Sequence, residues 1–290
     1  MPVTGVHFLV TYQCTQECDH CFVFGSPRAQ AVFSGDRLTQ LIEQCRAVGT
    51  VEWIFFEGGE PFLYYPVLMR GVRRAAELGF RVGIVTNAYW ATSLDDALLC
   101  LEGLGSGCVQ ELSVSSDDLH HGADAVALQR IDAATAAADR LGIPVSTIRV
   151  EHPVPGGGDV MFRGRAADAL TAGHPRSPAS DFRACPHEPL DAPDRVHVDP
   201  LGLVHVCQGI TIGNAFEAPL DEILQRYDPT SHAIVGPLLR GGPAELARSV
   251  GFAPGGSGYA DACHLCFLAR RHARENGHPQ LSPAHVYTGD

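Results

Sequence analysis

Near the start of the chain stands Val6-His7-Phe8-Leu9-Val10-Thr11-Tyr12, an apolar, β-rich run that leads directly into Gln13-Cys14-Thr15-Gln16-Glu17-Cys18-Asp19-His20-Cys21. Three residues separate the first two cysteines and two separate the last two. Three thiolates on one loop can bind three corners of a cubane iron–sulfur cluster, whereas ordinary clusters and closed zinc sites use four protein ligands. The spacing therefore predicts a metal centre with one open coordination position, held at the end of a first strand.

Two other interpretations of the triplet are a zinc site completed by a distant fourth ligand and a disulfide framework. A chain of 290 residues can bury its own core, so it does not need disulfides for stability. Ten cysteines in a reducing compartment indicate metal sites more often than disulfides.

The composition is that of an ordinary globular protein, with 45% hydrophobic and 19% charged residues. Lysine and arginine number 21 against 33 acidic residues, a net charge of −12, which disfavours nucleic acid and anionic membranes as partners. The segment 1–5 lacks the features of a signal peptide, and no run of 18 apolar residues occurs. We therefore expect a cytoplasmic protein.

Strand and helix patterns alternate over the first half of the chain. After the cysteine loop, Ser34 is a candidate N-cap for a helix whose apolar stripe ends in Cys45, which makes that cysteine a packing residue. Such alternation implies an α/β fold in which parallel strands form an open or closed barrel. Active sites of such folds lie at the carboxyl ends of the strands. The predicted strands are 6–12, 51–56, 81–87, 111–117 and 144–150.

The CxxxCxxC spacing, the preceding strand and the ring residue His20 before the last cysteine resemble the signature of the radical SAM superfamily. The resemblance implies a partial (β/α)6 barrel in which Cys14, Cys18 and Cys21 hold a [4Fe-4S] cluster. It implies that the open iron chelates the amino and carboxylate groups of S-adenosyl-L-methionine (SAM), which an electron from the cluster cleaves to a 5′-deoxyadenosyl radical. An electron donor such as flavodoxin or ferredoxin is the expected partner.

Further candidate SAM-binding residues follow from the same resemblance. The turn Gly58-Gly59-Glu60 matches the family turn that receives the methionyl amino group. Glycine suits such a turn because it lets the backbone approach a ligand closely. A plain strand-to-helix turn is the alternative for this stretch alone. At the ends of later strands, Thr86 and Ser115 match positions that contact the SAM carboxylate and ribose. Arg165, with its neighbours in 164–166, matches a turn near the adenosine.

A second cysteine set lies beyond 153–184, a stretch rich in Gly, Pro, Ala and Asp that we interpret as a boundary. We therefore predict a barrel core over 1–165 and a small cysteine-rich α+β extension over 166–290. A β-hairpin turning at 199–202 leads to one cysteine of this set. The four candidate ligands are Cys185, Cys207, Cys263 and Cys266.

These four cysteines resemble the twitch form of the SPASM extension, which binds one auxiliary [4Fe-4S] cluster. A four-thiolate zinc site is the alternative, because C-x2-C with two remote cysteines suits either metal. Cys108 is left over as a structural residue, a substitute for Cys185 or a hydrogen donor.

The resemblance implies hydrogen abstraction from a substrate C–H bond, with the auxiliary cluster accepting an electron in a net oxidation. No catalytic residue is assigned from the sequence. The triplet begins at residue 14, so we expect no N-terminal peptide-recognition domain, which favours a small, aminocyclitol- or sugar-like substrate. The alternatives are a peptide-modifying maturase, such as an epimerase or crosslinking enzyme, and a non-enzymatic iron–sulfur or zinc scaffold or sensor.

Overall fold

The structure, a computed structural model, describes residues 2–122, 124–154, 158–253 and 255–289. Residues 155–157, which fall in the predicted boundary stretch, lie outside the described residues.

One eight-stranded sheet runs through the described ranges in the order β5-β4-β3-β2-β1-β6-β7-β8. The six strands β1 to β6 are parallel to one another, and β7 and β8 continue the sheet beyond β6 with antiparallel pairing. Because β5 and β8 stand at opposite edges, the barrel is open, and the predicted α/β class is confirmed. The strands are β1 Gly5–Thr11, β2 Trp53–Gly58, β3 Arg81–Thr86, β4 Glu111–Ser115, β5 Val145–Ile148, β6 Arg195–Val198, β7 Leu203–Cys207 and β8 Ile210–Asn214.

Helices connect the parallel strands and cover the hairpin. They are α1 Gly35–Val48, α2 Tyr65–Glu77, α3 Leu94–Leu104, α4 Asp118–His121, α5 Ala125–Arg140, α6 Ala166–Ala169, α7 Leu220–Arg226, α8 Val235–Ser249, α9 Ala262–Glu275 and α10 His285–Thr288. Among the described residues, no helix has the length and apolar character needed to cross a membrane.

The first helix forms as its sequence predicts. Ser34 is the N-cap of α1 and accepts a hydrogen bond from the amide of Arg37, while Gly49 ends the helix in the left-handed region at φ +78°. Cys45 is 1% exposed and packs in the core. Its prediction as a packing residue is therefore confirmed.

Strand alternation separates the core face of β1 from the face that lines the barrel interior. Phe8 is fully buried and contacts the rings of Phe33 and Phe56. The next residue, Leu9, lines a cavity inside the open barrel instead. Successive side chains of a strand point to opposite faces, so β1 contributes to both.

The C-terminal half of the chain completes the same sheet. Strand β6 lies beside β1 in parallel, with His7 opposite His197. The predicted hairpin is confirmed, and Asp199 stabilises its turn by accepting hydrogen bonds from the amides of Leu201 and Leu203. The sheet thus extends across the predicted division at 165/166, and that division stays a prediction.

A buried hydrogen bond joins β1 to this hairpin. The Tyr12 hydroxyl donates to Asp199 Oδ2 at 2.8 Å, and the two residues are 1% and 0% exposed. Tyr12→Phe leaves a buried carboxylate oxygen without this donor, which we expect to lower the free energy of unfolding by about 1–3 kcal/mol. Urea denaturation measures the change.

The matched control is Tyr64→Phe, which removes the hydroxyl that donates to Gln13 Oε1 in a half-buried setting. We expect a loss of less than ~1 kcal/mol for this variant. Equal losses for the two variants would contradict a special contribution from the buried bond.

Candidate functional site

A cavity of about 290 Å³ lies at the carboxyl ends of the parallel strands. It brings together most of the side chains that the sequence predicts for cluster and SAM binding. Those that line it are Cys14, Cys18, His20, Cys21, Gly58, Gly59, Thr86 and Ser115.

The three thiols of the loop are set up for metal binding. Burial raises the pKa of Cys14 and Cys18 to about 12, so both are protonated at neutral pH until a cation compensates the thiolate charge. Amide donors face two of the sulfur atoms: Gly25 N lies 3.2 Å from Cys21 Sγ, and Asn87 Nδ2 lies 3.5 Å from Cys14 Sγ. Such donors stabilise thiolates, so the donor set fits a cluster held by three cysteines.

Arg165 holds the back of the cysteine loop. Its guanidinium donates to the carbonyl oxygens of Cys18 at 2.5 Å and Gly25 at 3.0 Å, and its backbone amide donates to the Cys21 carbonyl at 3.0 Å. Gly164 sits in the left-handed region at φ +59°, and a Cβ there would lie 2.4 Å from Phe22 Cα. The described contacts of Arg165 are thus with the loop backbone, and its contact with SAM stays a prediction.

The glycine turn packs backbone against backbone. Gly59 N donates to Thr11 O at 2.7 Å, and Glu60 N donates to Gln13 O at 2.8 Å. A Cβ on Gly59 would lie 2.0 Å from Gln13 O, and one on Gly58 would lie 2.4 Å from Thr11 O. Because Gly58 and Gly59 have no side chains, the backbone of the turn lies close to the segment before the cysteine loop and also reaches the cavity.

Glu60 lies behind the cavity wall. It is fully buried, and its carboxylate accepts hydrogen bonds from Thr86 Oγ1 at 2.9 Å, Phe62 N at 3.1 Å and Asn87 N at 2.8 Å. Burial raises the pKa of Glu60 to about 7, although these donors favour the ionised form. Glu60 joins the ends of β2 and β3 in this structure, and its predicted contact with the SAM amine stays a prediction.

The two later strand ends differ in how their hydroxyls are used. Thr86 Oγ1 donates to Glu60 and accepts from Ala88 N at 3.1 Å and Trp90 Nε1 at 3.0 Å. Ser115 is 6% exposed and lines the cavity. Within the described ranges no protein partner of the Ser115 hydroxyl is found, so of the two it is the one available to a ligand.

A histidine pair lies beside the cysteine loop. The sequence analysis identified His20 but not its partner, His120. His20 Nε2 lies 3.2 Å from His120 Nε2, and His120 Nδ1 lies 2.8 Å from Asp117 Oδ2. Burial, followed by the neighbouring His120, lowers the pKa of His20 to about 4. The available signal for His120 was Asp117 at a strand end, three residues earlier, which caps α4.

A second missed group lies on the interior face of three adjacent strands. Glu57 Oε2 is 3.2 Å from His7 Nδ1, and Glu57 Oε1 is 3.2 Å from His197 Nε2. Burial alone would raise the pKa of Glu57, but the two histidines hold it well below its ordinary value. Glu57 also lines the cavity, so the barrel interior carries a carboxylate that is paired with two histidines.

The second cysteine set converges on one small cavity, lined by Cys185, Cys207, Cys263 and Cys266. Burial raises the pKa of Cys266 to about 11, although Arg270 lowers it. A second buried arginine, Arg163, places Nη1 3.5 Å from Cys207 Sγ. Four thiols with two buried cations fit an anionic metal–thiolate centre, of iron or of zinc.

Part of this chain is similar to a described protein family. Residues 8–150 match the model of the Radical SAM superfamily. The chain is 25% identical over 108 residues to YydG of Bacillus subtilis (strain 168), a protein named for peptide biosynthesis. That match covers 37% of this chain and 34% of YydG, so it spans about a third of the length of this curated relative.

Two solved structures are distantly similar to the chain. The structure of anSMEcpe with bound AdoMet has a TM-score of 0.44 and 13% identity, covering 77% of this chain and 80% of that one. The structure of Streptococcus suis SuiB bound to precursor peptide SuiA has a TM-score of 0.42 and 11% identity, covering 90% of this chain and 75% of that one. Likenesses at this level carry no information about substrate.

The glycine turn gives a first test of the site. In Gly59→Ala, the new Cβ overlaps the Gln13 carbonyl, so either the turn or the segment before the cysteine loop must shift. We expect a loss of about 1–3 kcal/mol in unfolding free energy and poor iron incorporation at the first cluster. Gly256→Ala, where a Cβ meets no atom within 4 Å, is the control. Full iron content in Gly59→Ala would refute this role.

Glu60 gives a test by pH. Its unfolded-state pKa is near 4.5 and its folded-state pKa is raised to about 7, so the folded state binds the proton more tightly. Its stability contribution is fully present below pH 4.5, falls by about 3 kcal/mol as the pH rises to 7, and is constant above that. We expect Glu60→Gln to lack this decline in urea unfolding from pH 5 to 8.

The control for the pH series is Glu102→Gln at an exposed position. It should keep the pH dependence of the wild type. A Glu60→Gln profile parallel to the wild-type profile would show that the buried carboxyl titrates normally.

Proposed function

We propose that this protein is an enzyme that binds a [4Fe-4S] cluster and SAM in the central cavity, because residues 8–150 match the model of the Radical SAM superfamily, whose cofactors these are. The main support for this proposal is that Cys14, Cys18 and Cys21 line the same cavity as the Gly58-Gly59 turn. When bound, the cluster and SAM supply a 5′-deoxyadenosyl radical that abstracts hydrogen from a substrate C–H bond.

The side chains of the cavity prepare this chemistry in three ways. The three cysteines hold the cluster, and the donors Gly25 N and Asn87 Nδ2 stabilise their thiolates. Apolar side chains also line the cavity and exclude water from a reactive intermediate. These apolar residues are Leu9, Val85, Ile148, Val150, Val160 and Met161.

We further propose that Cys185, Cys207, Cys263 and Cys266 hold an auxiliary [4Fe-4S] cluster that accepts an electron from the substrate. Four thiolates saturate a cubane, so such a centre transfers electrons rather than binding substrate. The support is their convergence on one cavity together with two buried arginines. Zinc is the competing occupant.

For the substrate, the partial similarity to YydG favours a peptide over the small molecule expected from the sequence. The test is to incubate the reconstituted enzyme, SAM and a reductant with short peptides encoded beside its gene. Oxidation removes two hydrogens, whereas epimerisation in heavy water adds one deuterium, and mass spectrometry separates the two. Turnover of aminocyclitols without turnover of any peptide would overturn the peptide proposal.

The cluster assignment is tested by anaerobic reconstitution. We expect about eight irons per chain in the wild type and about four after Cys14, Cys18 and Cys21 are replaced by alanine, with formation of 5′-deoxyadenosine abolished. Cys185→Ala should disturb the other cluster instead. Iron analysis and a dithionite-driven SAM cleavage assay measure these outcomes.

Cys100→Ala is the control, because this half-buried cysteine lies in α3 and should leave the iron content unchanged. A fully reconstituted wild type that forms no 5′-deoxyadenosine would refute the enzyme proposal. A second site that takes up zinc and no iron would refute the auxiliary cluster alone.

A further inference from the structure

Arg163 lies between the two cysteine-lined cavities. Arg163 is 9% exposed, and it lines both the central cavity and the four-thiol cavity. Arg270, the other buried arginine near the second cysteine set, lines only the four-thiol cavity. Arg163 is therefore the buried cation with access to both sites in the described part of the chain.

The contacts of Arg163 reach toward both cysteine sets. Its guanidinium carbon lies 4.9 Å from the centre of the Phe22 ring, and Phe22 directly follows Cys21. On the other side, Nη1 lies 3.5 Å from Cys207 Sγ and 3.5 Å from Glu188 Oε1. A planar guanidinium can stack on a ring and donate in its own plane at the same time, which lysine cannot do.

The charge of Arg163 is only partly neutralised by protein groups. Glu188 also pairs with Arg195, at 3.2 Å, so one carboxylate is shared by two arginines. Arg163 Nε is buried and has no hydrogen-bond partner among the described residues. A metal–thiolate centre supplies the negative charge that this cation lacks.

We infer that Arg163 is a positioning residue that raises the reduction potential of the centre held by Cys185, Cys207, Cys263 and Cys266. The inference rests on the proposed auxiliary iron cluster. In the oxidation proposed for this cluster, the substrate radical gives one electron to the cluster and one proton to solvent, and the product is closed-shell. A flavodoxin-type carrier then takes that electron from the centre. Because reduction adds a negative charge beside the guanidinium, the cation favours the reduced state.

The test is a redox titration of the reconstituted full chain, followed by the electron paramagnetic resonance of the second cluster. Replacing Cys14, Cys18 and Cys21 by alanine in the same chain isolates that signal. We expect Arg163→Gln to lower the equilibrium constant for reduction at least tenfold, which is about 59 mV for a one-electron couple. Arg163→Lys keeps the charge and should restore part of the shift.

Two further variants control the measurement. Arg271→Gln removes an arginine that pairs with Asp168 at the surface, and it should leave the potential unchanged. Glu188→Gln removes the shared carboxylate and should shift the potential in the opposite direction, upward. If Arg163→Gln binds no iron, Arg163→Lys decides, because its potential should lie below the wild-type value and a potential equal to the wild-type value would overturn the role of Arg163.

The outcomes separate this inference from the function on which it rests. A second iron cluster whose potential is the same in the wild type and in Arg163→Gln would overturn the role of Arg163 and leave the auxiliary cluster standing. Zinc in place of iron at the four thiols would overturn the auxiliary cluster, and the role of Arg163 with it.

Discussion

The candidate site depends on one backbone contact between the turn after β2 and the segment after β1. The amides of Gly59 and Glu60 donate to the carbonyls of Thr11 and Gln13, at 2.7 and 2.8 Å. This contact is possible because neither Gly58 nor Gly59 has a Cβ. It fixes the start of the cysteine loop against the sheet, so the thiols and the glycine turn face the same cavity. A loop attached only at its ends would not hold three sulfur atoms in a constant arrangement.

Local patterns were sufficient to predict the elements that depend on neighbouring residues. The stripe that buries Cys45, the cap at Ser34 and the hairpin turn at 199–202 are all present. The spacing of Cys14, Cys18 and Cys21 likewise predicted side chains that line one cavity. In each case the controlling interaction spans a few residues, so the sequence carries it directly.

Features that depend on strand order were not predictable in the same way. The Glu57 pair with His7 and His197 requires β2, β1 and β6 to be adjacent, and β6 is distant in the chain. Glu60 accepts three protein hydrogen bonds behind the cavity wall, and its predicted contact with the SAM amine stays a prediction. The direction of a carboxylate at a strand end depends on donors from other segments, here Thr86 and Asn87 at the end of β3 and Phe62 after β2. Residue type and spacing therefore identified the cavity better than the direction of each side chain.

The central position of β1 has a consequence for the synthesis of the chain. One edge of β1 pairs with β2, but the other edge stays unpaired until β6, at Arg195–Val198, has been synthesised. At a translation rate of ~5–20 residues per second, that edge stays unpaired on the ribosome for roughly 10 s or more. Its backbone donors and acceptors are open to wrong pairing during that interval. The nascent N-terminal half is thus the form of this protein most exposed to aggregation, and chaperones that cover extended apolar segments have their natural target there.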